Sequence, residues 1–200
     1  KQLVSIDALV YLGRVTGLRD IGNRDNFLEI GAALSYSDAM DALSEHFPEL
    51  RPYMTRIGAL QVRNAGTIGG NIANGSPIGD MAPPLFALGA RLVLGSAAGS
   101  RAVAIEDFYI EYGKQDMRPG EFLEKILLPL PHAGQLFRAY KLSKRIEQDI
   151  SAVSAAFLLE VEDGTVTNAQ ACYGGMAGVP AHAAACEAAL LGQPWTEETV

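Results

Sequence analysis

The fourteen residues from Thr67 to Asp80 hold four glycines, two asparagines and a proline. Glycine lets a backbone reach φ > 0 and lets N–H groups converge without a Cβ in the way. Converging N–H groups hold the oxygens of a phosphate or diphosphate. Thr67, Asn71, Asn74 and Ser76 add side-chain donors to the same stretch. A helix starting near Asp80 would add its positive end. The pattern is neither a P-loop nor GxGxxG: no Lys-Ser/Thr follows, and no first strand of a dinucleotide fold precedes it. A long glycine-rich connection that only packs fits the same residues, so two readings stand at this point, an anion cradle and a packed linker.

The elements around this stretch are mixed. Leu18 to Ala33 reads as strand, turn and strand, with Gly22-Asn23 in the turn. Ser35 or Ser37 can cap a helix over 38–46, and Pro48 stops it. A second helical pattern runs from about Leu50 to Arg63, with Tyr53, Ile57 and Leu60 on one face. Asp80 to Leu88 reads as a helix with Asp80 as its N-cap and Pro83 and Pro84 in the first turn. Short strands follow at Arg91–Leu94, Val103–Ile105 and Phe122–Leu128. Pro129, Pro131 and Gly134 mark an internal boundary. Beyond it come a strand at Phe137–Lys141, a hairpin turning at Asp163-Gly164, and a helix over Ala181–Leu191. The fold class is α+β, with one unit over 1–131 and a smaller sheet-plus-helix unit over 132–200.

Composition narrows the chemistry. The 200 residues carry a net charge of −7, which argues against a nucleic-acid partner held by bulk charge. An acidic ligand held by one local segment is still allowed. Cys172 and Cys186 are too few for an iron–sulfur cluster, and both read as small reduced core residues. His46, His132 and His182 are scattered, so no metal site and no catalytic acid, base or nucleophile is readable. His182 reads as part of a surface helix. Arg63, Lys144 and Arg145 are possible partner contacts, the last two in a solvated turn. The apolar run from Met81 to Gly99 contains Pro83, Pro84 and Arg91, which argues against a membrane span. No secretory signal is readable, the composition suits the cytoplasm, and the chain reads as a fragment at both ends.

The words Gln61 to Asn71 (QVRNAGTIGGN) and Ser76 to Asp80 (SPIGD) resemble the FAD-binding domain of the molybdenum hydroxylases, the xanthine dehydrogenase type above all. The likeness continues in order through Glu121-Phe122-Leu123, Phe137-Arg138-Ala139-Tyr140-Lys141 and Cys172-Tyr173-Gly174-Gly175-Met176-Ala177. It implies the C-terminal part of a PCMH-type FAD domain followed by a domain like the C-terminal one of the carbon monoxide dehydrogenase flavoprotein. In that family electrons leave a purine, or another substrate, at a molybdopterin centre. They pass through 2Fe-2S clusters to FAD and on to NAD or O2. The resemblance makes this chain the flavin module, with the molybdopterin-binding subunit or domain and the 2Fe-2S domain as partners. Flavin subunits for carbon monoxide, aldehyde, nicotinate and aromatic acyl-CoA substrates are the near alternatives, and a scaffold that has lost its cofactor is the distant one.

Residue by residue, the resemblance places Thr67, Ile68, Gly69, Gly70 and Asn71 at the diphosphate and ribose of FAD, with Asn74 beside them. It places Asp80 at a hydroxyl or amine of the cofactor, since a carboxylate only accepts. Ile57 would pack beside the flavin without aromatic stacking, and Leu123 would cover an apolar ring face. Lys141 would be a cation near the flavin, favouring its anionic reduced form. The family's other FAD loop lies N-terminal to this region, so half of the diphosphate cradle is expected outside the chain. Where relatives often carry Arg, this chain has His182.

Overall fold

The computed structural model describes residues 7, 8 and 10–199. Two short 3-10 turns, Leu12–Arg14 and Thr16–Leu18, lead into strands β1 (Ile21–Arg24) and β2 (Phe27–Gly31). Helices α1 (Tyr36–His46), α2 (Leu50–Met54), α3 (Leu60–Ala65), α4 (Ile68–Ala73) and α5 (Ala82–Ala87) follow. Then come β3 (Arg91–Ser96), β4 (Gly99–Ala104), α6 (Ile105–Phe108), β5 (Tyr109–Glu111), β6 (Lys114–Gln115) and β7 (Phe122–Pro129). The chain continues through β8 (Gln135–Leu142), β9 (Val153–Glu162), β10 (Thr165–Gly174), β11 (Ala181–His182) and α7 (Ala184–Leu190).

Two antiparallel sheets result. One has the order β1-β2-β7-β3-β4, the other β11-β10-β9-β8, and β5 and β6 form a separate hairpin. The β9–β10 hairpin turns at Asp163 and Gly164 with φ of 49° and 76°, the left-handed pair that a two-residue turn needs. The β1–β2 turn is Asp25-Asn26, not Gly22-Asn23: Arg24 pairs with Phe27, and Asp25 sits at φ 52°. Asp tolerates that conformation because its short side chain bonds locally, so glycine was not the guide here.

Helix α5 joins the sheets. All six of its residues, Ala82-Pro83-Pro84-Leu85-Phe86-Ala87, are buried, and it lies against β9 and β10. The core runs from Leu28 and Ile30 on β2, through Leu85, to Phe137, Leu158 and Cys172 on the second sheet. Among the described residues no helix is long and apolar enough to cross a membrane.

Helix 50–63 is two helices. Gly58 at φ 56° breaks the pattern, and the Arg63 guanidinium donates to the carbonyls of Thr55 (2.8 Å), Ile57 and Gly58 (3.2 Å each). Arg63 therefore closes an internal break. Helix α5 starts later than expected and its N-cap is Met81, whose amide donates to Asn71 Oδ1 at 3.0 Å. Asp80 is not a cap. The expected helix over 181–191 is strand β11 followed by α7.

The glycine-rich stretch is the main correction. It opens as helix α4, with Thr67 as N-cap accepting from the Gly70 amide at 2.9 Å. Ser35 caps α1 in the same way, accepting from the Asp38 amide at 3.1 Å. The two caps face each other in an isolated antiparallel bridge, Ser35↔Thr67. Around it the Gly69 amide donates to Ala32 O (3.1 Å), Ile68 to Leu34 O (3.1 Å), Tyr36 to Gly66 O (3.1 Å) and Ala32 to Glu124 O (3.0 Å). Residues 32–36 are thus a strap laced between β7 and α4.

The strap explains Gly69. A Cβ there would meet the Ala32 carbonyl oxygen at 2.5 Å and its Cα at 2.6 Å, which only backbone movement relieves. A Cβ on Gly70 would meet only Thr67 Oγ1, at 2.7 Å. Gly69→Ala should lower stability by about 1–3 kcal/mol through overpacking. Gly70→Ala should be near neutral, a helix-propensity gain of about 1 kcal/mol offsetting a weakened cap of similar size. Urea unfolding of the intact subunit separates the two, and equal midpoints would refute the interlock.

Candidate functional site

Helix α4 is a wall with a cleft on either side. The first cleft, about 610 Å³, is bounded by Ser35, Asn64, Thr67, Gly69 and Gly70 at a polar end. Met117, Phe122, Leu123 and Ala73 supply apolar surface, and Tyr11, Leu12 and Arg19 complete the rim. The second cleft, about 500 Å³, is lined by Asn71, Asn74, Ser76, Asp80, Lys141 and Ser151 among others.

The ten residues singled out above therefore fall into three groups. Thr67, Gly69, Gly70 and Leu123 meet at the first cleft. Asn71, Asn74, Asp80 and Lys141 meet at the second. Ile57 and Ile68 line neither; they are 5% and 0% exposed and belong to the core.

The cradle of free amides does not form as drawn from the sequence. The amides of Ile68 and Gly69 donate to the strap, that of Gly70 to Thr67 Oγ1, and that of Asn71 to Thr67 O (3.0 Å). Helical geometry turns these groups inward. What the first cleft offers instead is hydroxyls. Thr67 Oγ1 accepts from Gly70, so its own proton is available to donate outward. Ser35 stands in the same position over α1. Two helix starts and two capping hydroxyls converge there, a setting that favours negative charge.

At the second cleft the chemistry is a buried ion pair. Lys141 Nζ donates to Asp80 Oδ2 at 2.7 Å, with side-chain exposures of 2% and 10%. The Ser151 hydroxyl donates to Asp80 Oδ1, and the Tyr53 hydroxyl donates to the Asp80 carbonyl at 2.5 Å. Burial, reinforced by the Asp80 carboxylate, pushes the Tyr53 and Tyr36 phenols up, so both stay protonated. Arg56 donates to the Lys141 carbonyl and, at 3.0 Å, to Ser143 Oγ, which fixes the end of β8. Lys141 is therefore not a free cation; its charge is matched by Asp80.

Leu123 is held by a surface clamp. Arg101 donates to Glu121 Oε1 (2.8 Å) and Oε2 (2.9 Å) and to Asp116 (2.7 Å), pinning the start of β7. The Arg101 bonds, with the Arg118 amide, hold the Glu121 carboxyl down to about 2. Sequence reasoning missed Tyr53, Arg56, Ser151 and this clamp, since isolated polar residues carry no spacing signal. Ser35 was visible, but only as a helix cap.

His182 is not on a surface helix. It sits in β11 opposite Cys172, with Glu187 Oε1 2.7 Å from its Nδ1. Cys172 is buried and Cys186 is exposed, so only the first is a core thiol; both are free.

The family described as "FAD binding domain in molybdopterin dehydrogenase" matches residues 1–131. The family described as "CO dehydrogenase flavoprotein C-terminal domain" matches residues 138–200. A xanthine dehydrogenase of Emericella nidulans is 30% identical over 95% of this chain, which spans 15% of that protein. The glyceraldehyde dehydrogenase medium chain of Sulfolobus acidocaldarius is 30% identical over 100% of this chain and 71% of its own length. Among solved structures, a carbon monoxide dehydrogenase chain from Hydrogenophaga pseudoflava superposes with a TM-score of 0.88 at 30% identity, covering 94% of this chain and 66% of that one.

The buried pair makes a testable statement. Lys141→Met leaves a buried carboxylate with its charge unmatched and should cost about 3–5 kcal/mol. Adding Asp80→Asn should return part of that loss, with a coupling of about 1–3 kcal/mol in a double-mutant cycle. Additive losses in urea unfolding would show that the two side chains do not depend on each other.

Proposed function

Because the chain belongs to the family of FAD-binding domains of molybdopterin dehydrogenases, we propose that it is the flavin module of a xanthine dehydrogenase-like molybdenum hydroxylase. Its partners on this reading are a molybdopterin-binding subunit or domain and a 2Fe-2S domain, and its setting is the cytoplasm, in keeping with two free thiols. The two family matches support a division into a FAD-binding unit over 1–131 and a flavoprotein C-terminal unit over 132–200. FAD held here would supply the redox chemistry that links iron–sulfur clusters to NAD or O2.

The chain's own residues supply binding and exclusion of water. The first cleft suits a ligand with an anionic part and a flat apolar part. Thr67 and Ser35 present hydroxyls at one end, and Leu123 and Met117 present apolar surface. The exposed backbone of Gly70 lies at the cleft wall, where a side chain would project into the space. In the second cleft, each oxygen of Asp80 keeps lone pairs beyond the bonds from Lys141 and Ser151, so it can still accept from a ligand hydroxyl. Asn71 and Asn74 add amides on the same side. Ile57 and Ile68 act from beneath, by packing.

The observation that carries this reading is the meeting of two capped helix starts, Ser35 and Thr67, at one wall of the larger cleft. A glyceraldehyde dehydrogenase medium chain matches along the whole of this chain, so an aldehyde-oxidising holoenzyme is the second reading; the oxidised substrate is bound elsewhere.

FAD released per intact subunit tests the site. Gly70→Val and Thr67→Val should each lower bound FAD at least about tenfold, a loss of ~1.4 kcal/mol of affinity. Full flavin content in both variants, folded as judged by unfolding midpoint, would remove the first cleft from the binding site. Assay of the holoenzyme with purines and with aldehydes separates the two readings.

A further inference from the structure

We propose that Cys172, His182 and Glu187 form a binding site for a divalent transition metal, zinc being the best match to the ligand set. The site is separate from the flavin clefts and does not rest on the flavin reading.

The topology brings the three residues together. Cys172 on β10 and His182 on β11 are directly paired across the ladder, so their side chains leave the same face of the sheet. Helix α7 begins two residues after His182 and sets Glu187 in its first turn. Cys172 Sγ lies 3.4 Å from His182 Nδ1, Glu187 Oε1 lies 2.7 Å from the same nitrogen, and the three ligand atoms are all within 4.8 Å of one another. Zinc–sulfur and zinc–nitrogen or –oxygen bonds of about 2.3 and 2.0–2.1 Å in a tetrahedron put ligand atoms roughly 3.3–3.6 Å apart. The Sγ–Nδ1 distance is already that long, and the imidazole must turn to aim Nδ1 at an ion shared with the sulfur. The imidazole–carboxylate edge needs to open by about half an ångström.

The placement of the sulfur against the ring argues against one alternative chemistry. In a thiol–imidazole–carboxylate relay, the nucleophile and the carboxylate occupy opposite ring nitrogens. Here the carboxylate takes Nδ1 and the sulfur lies beside the ring, 3.4 Å from Nδ1 and 3.9 Å from Nε2, so neither nitrogen is turned to the thiol as a relay needs. Cys172 is also fully buried, which suits a metal ligand better than a nucleophile that must meet substrate. The other nitrogen, Nε2, faces Glu106 Oε1 at 3.6 Å. A carboxylate on the far side of a metal-bound imidazole orients the ring and fixes its tautomer. The Ala171 amide donates to Glu187 Oε1 at 2.8 Å and holds that carboxylate in place.

Among the described residues, His182 is the basic side chain that pairs with Glu106 and with Glu187. A dication bound by one thiolate and one carboxylate is electrically neutral, with a neutral imidazole as third ligand. A shallow cleft of about 320 Å³, lined by Tyr173, Met176 and Ala183, opens onto the His182 ring. Bound there, a metal would tie β11 and α7 to β10 and, through Glu106, to α6.

The test uses the intact subunit, stripped with a chelator and titrated with Co2+ and then Zn2+. Difference spectra against the metal-free subunit should show a thiolate-to-cobalt band and tetrahedral cobalt bands, saturating at one equivalent. Cys172→Ser should abolish the thiolate band and weaken zinc binding by at least about a hundredfold, and Glu106→Gln should weaken it about tenfold while keeping the spectrum. Cys186→Ser should change neither. His182→Gln alters a half-buried residue and carries the test if Cys172→Ser does not fold. The proposal is overturned if no thiolate band appears, or if zinc affinity is the same with His182 or Cys172 replaced.

Discussion

The contact on which the clefts depend is between two pieces of backbone. The Gly69 amide donates to the Ala32 carbonyl, and at that distance Gly69 has no room for a Cβ. The strap 32–36 is thereby fixed to α4 on one side and, through the Ala32 amide and the Glu124 carbonyl, to β7 on the other. Each later feature of the first cleft follows. Ser35 and Thr67 face each other because the strap and α4 are in register. Leu123 reaches the same space because β7 is the strand to which the strap is tied. A glycine in a helix interior costs about 1 kcal/mol relative to alanine, and α4 contains two in six residues. It is helical because tertiary hydrogen bonds and the Thr67 cap outweigh that cost.

The second constraint is electrostatic and joins the two sheets. Asp80 ends the glycine-rich segment, whereas Lys141 and Ser151 belong to the second sheet and the loop after β8. A buried pair of this kind adds little net stability against an apolar replacement, because both charges lose water. Its value is in specificity, since slippage of β8 past the end of the glycine-rich segment would strand two charges. The apolar helix α5 supplies the adhesion and the ion pair sets the alignment.

Much of this was legible in the chain. The Asp163-Gly164 turn and the Ser35 cap each depend on neighbours in sequence, and local patterns report them, whereas the insertion of β7 between β2 and β3 does not. The glycine-rich stretch was legible as unusual but not as helical, because what makes it a helix is a carbonyl more than thirty positions earlier. Asp80 illustrates the same limit. Its position before a proline-containing helix fits an N-cap, yet a buried lysine 61 residues away claims the carboxylate. Cys172 and His182 have no recognisable ligand spacing along the chain. Only the β10–β11 register, which returns the chain through a loop, sets them side by side.

A net charge of −7 limits how such a chain can hold an anionic cofactor. The cations nearest the clefts are already matched: Lys141 by Asp80, and Arg19 by Asp38 at 3.3 Å. Anion binding on the proposed reading therefore falls to neutral donors, the Thr67 and Ser35 hydroxyls and the dipoles of the helices they cap. Neutral donors attract less strongly than a guanidinium at long range, but they cost less to desolvate and remain in place through a change of charge on the ligand. For a module whose ligand would alternate between oxidised and reduced forms, a site of fixed dipoles responds less to that alternation than a site of mobile charges. The rigid strap is what keeps those dipoles fixed.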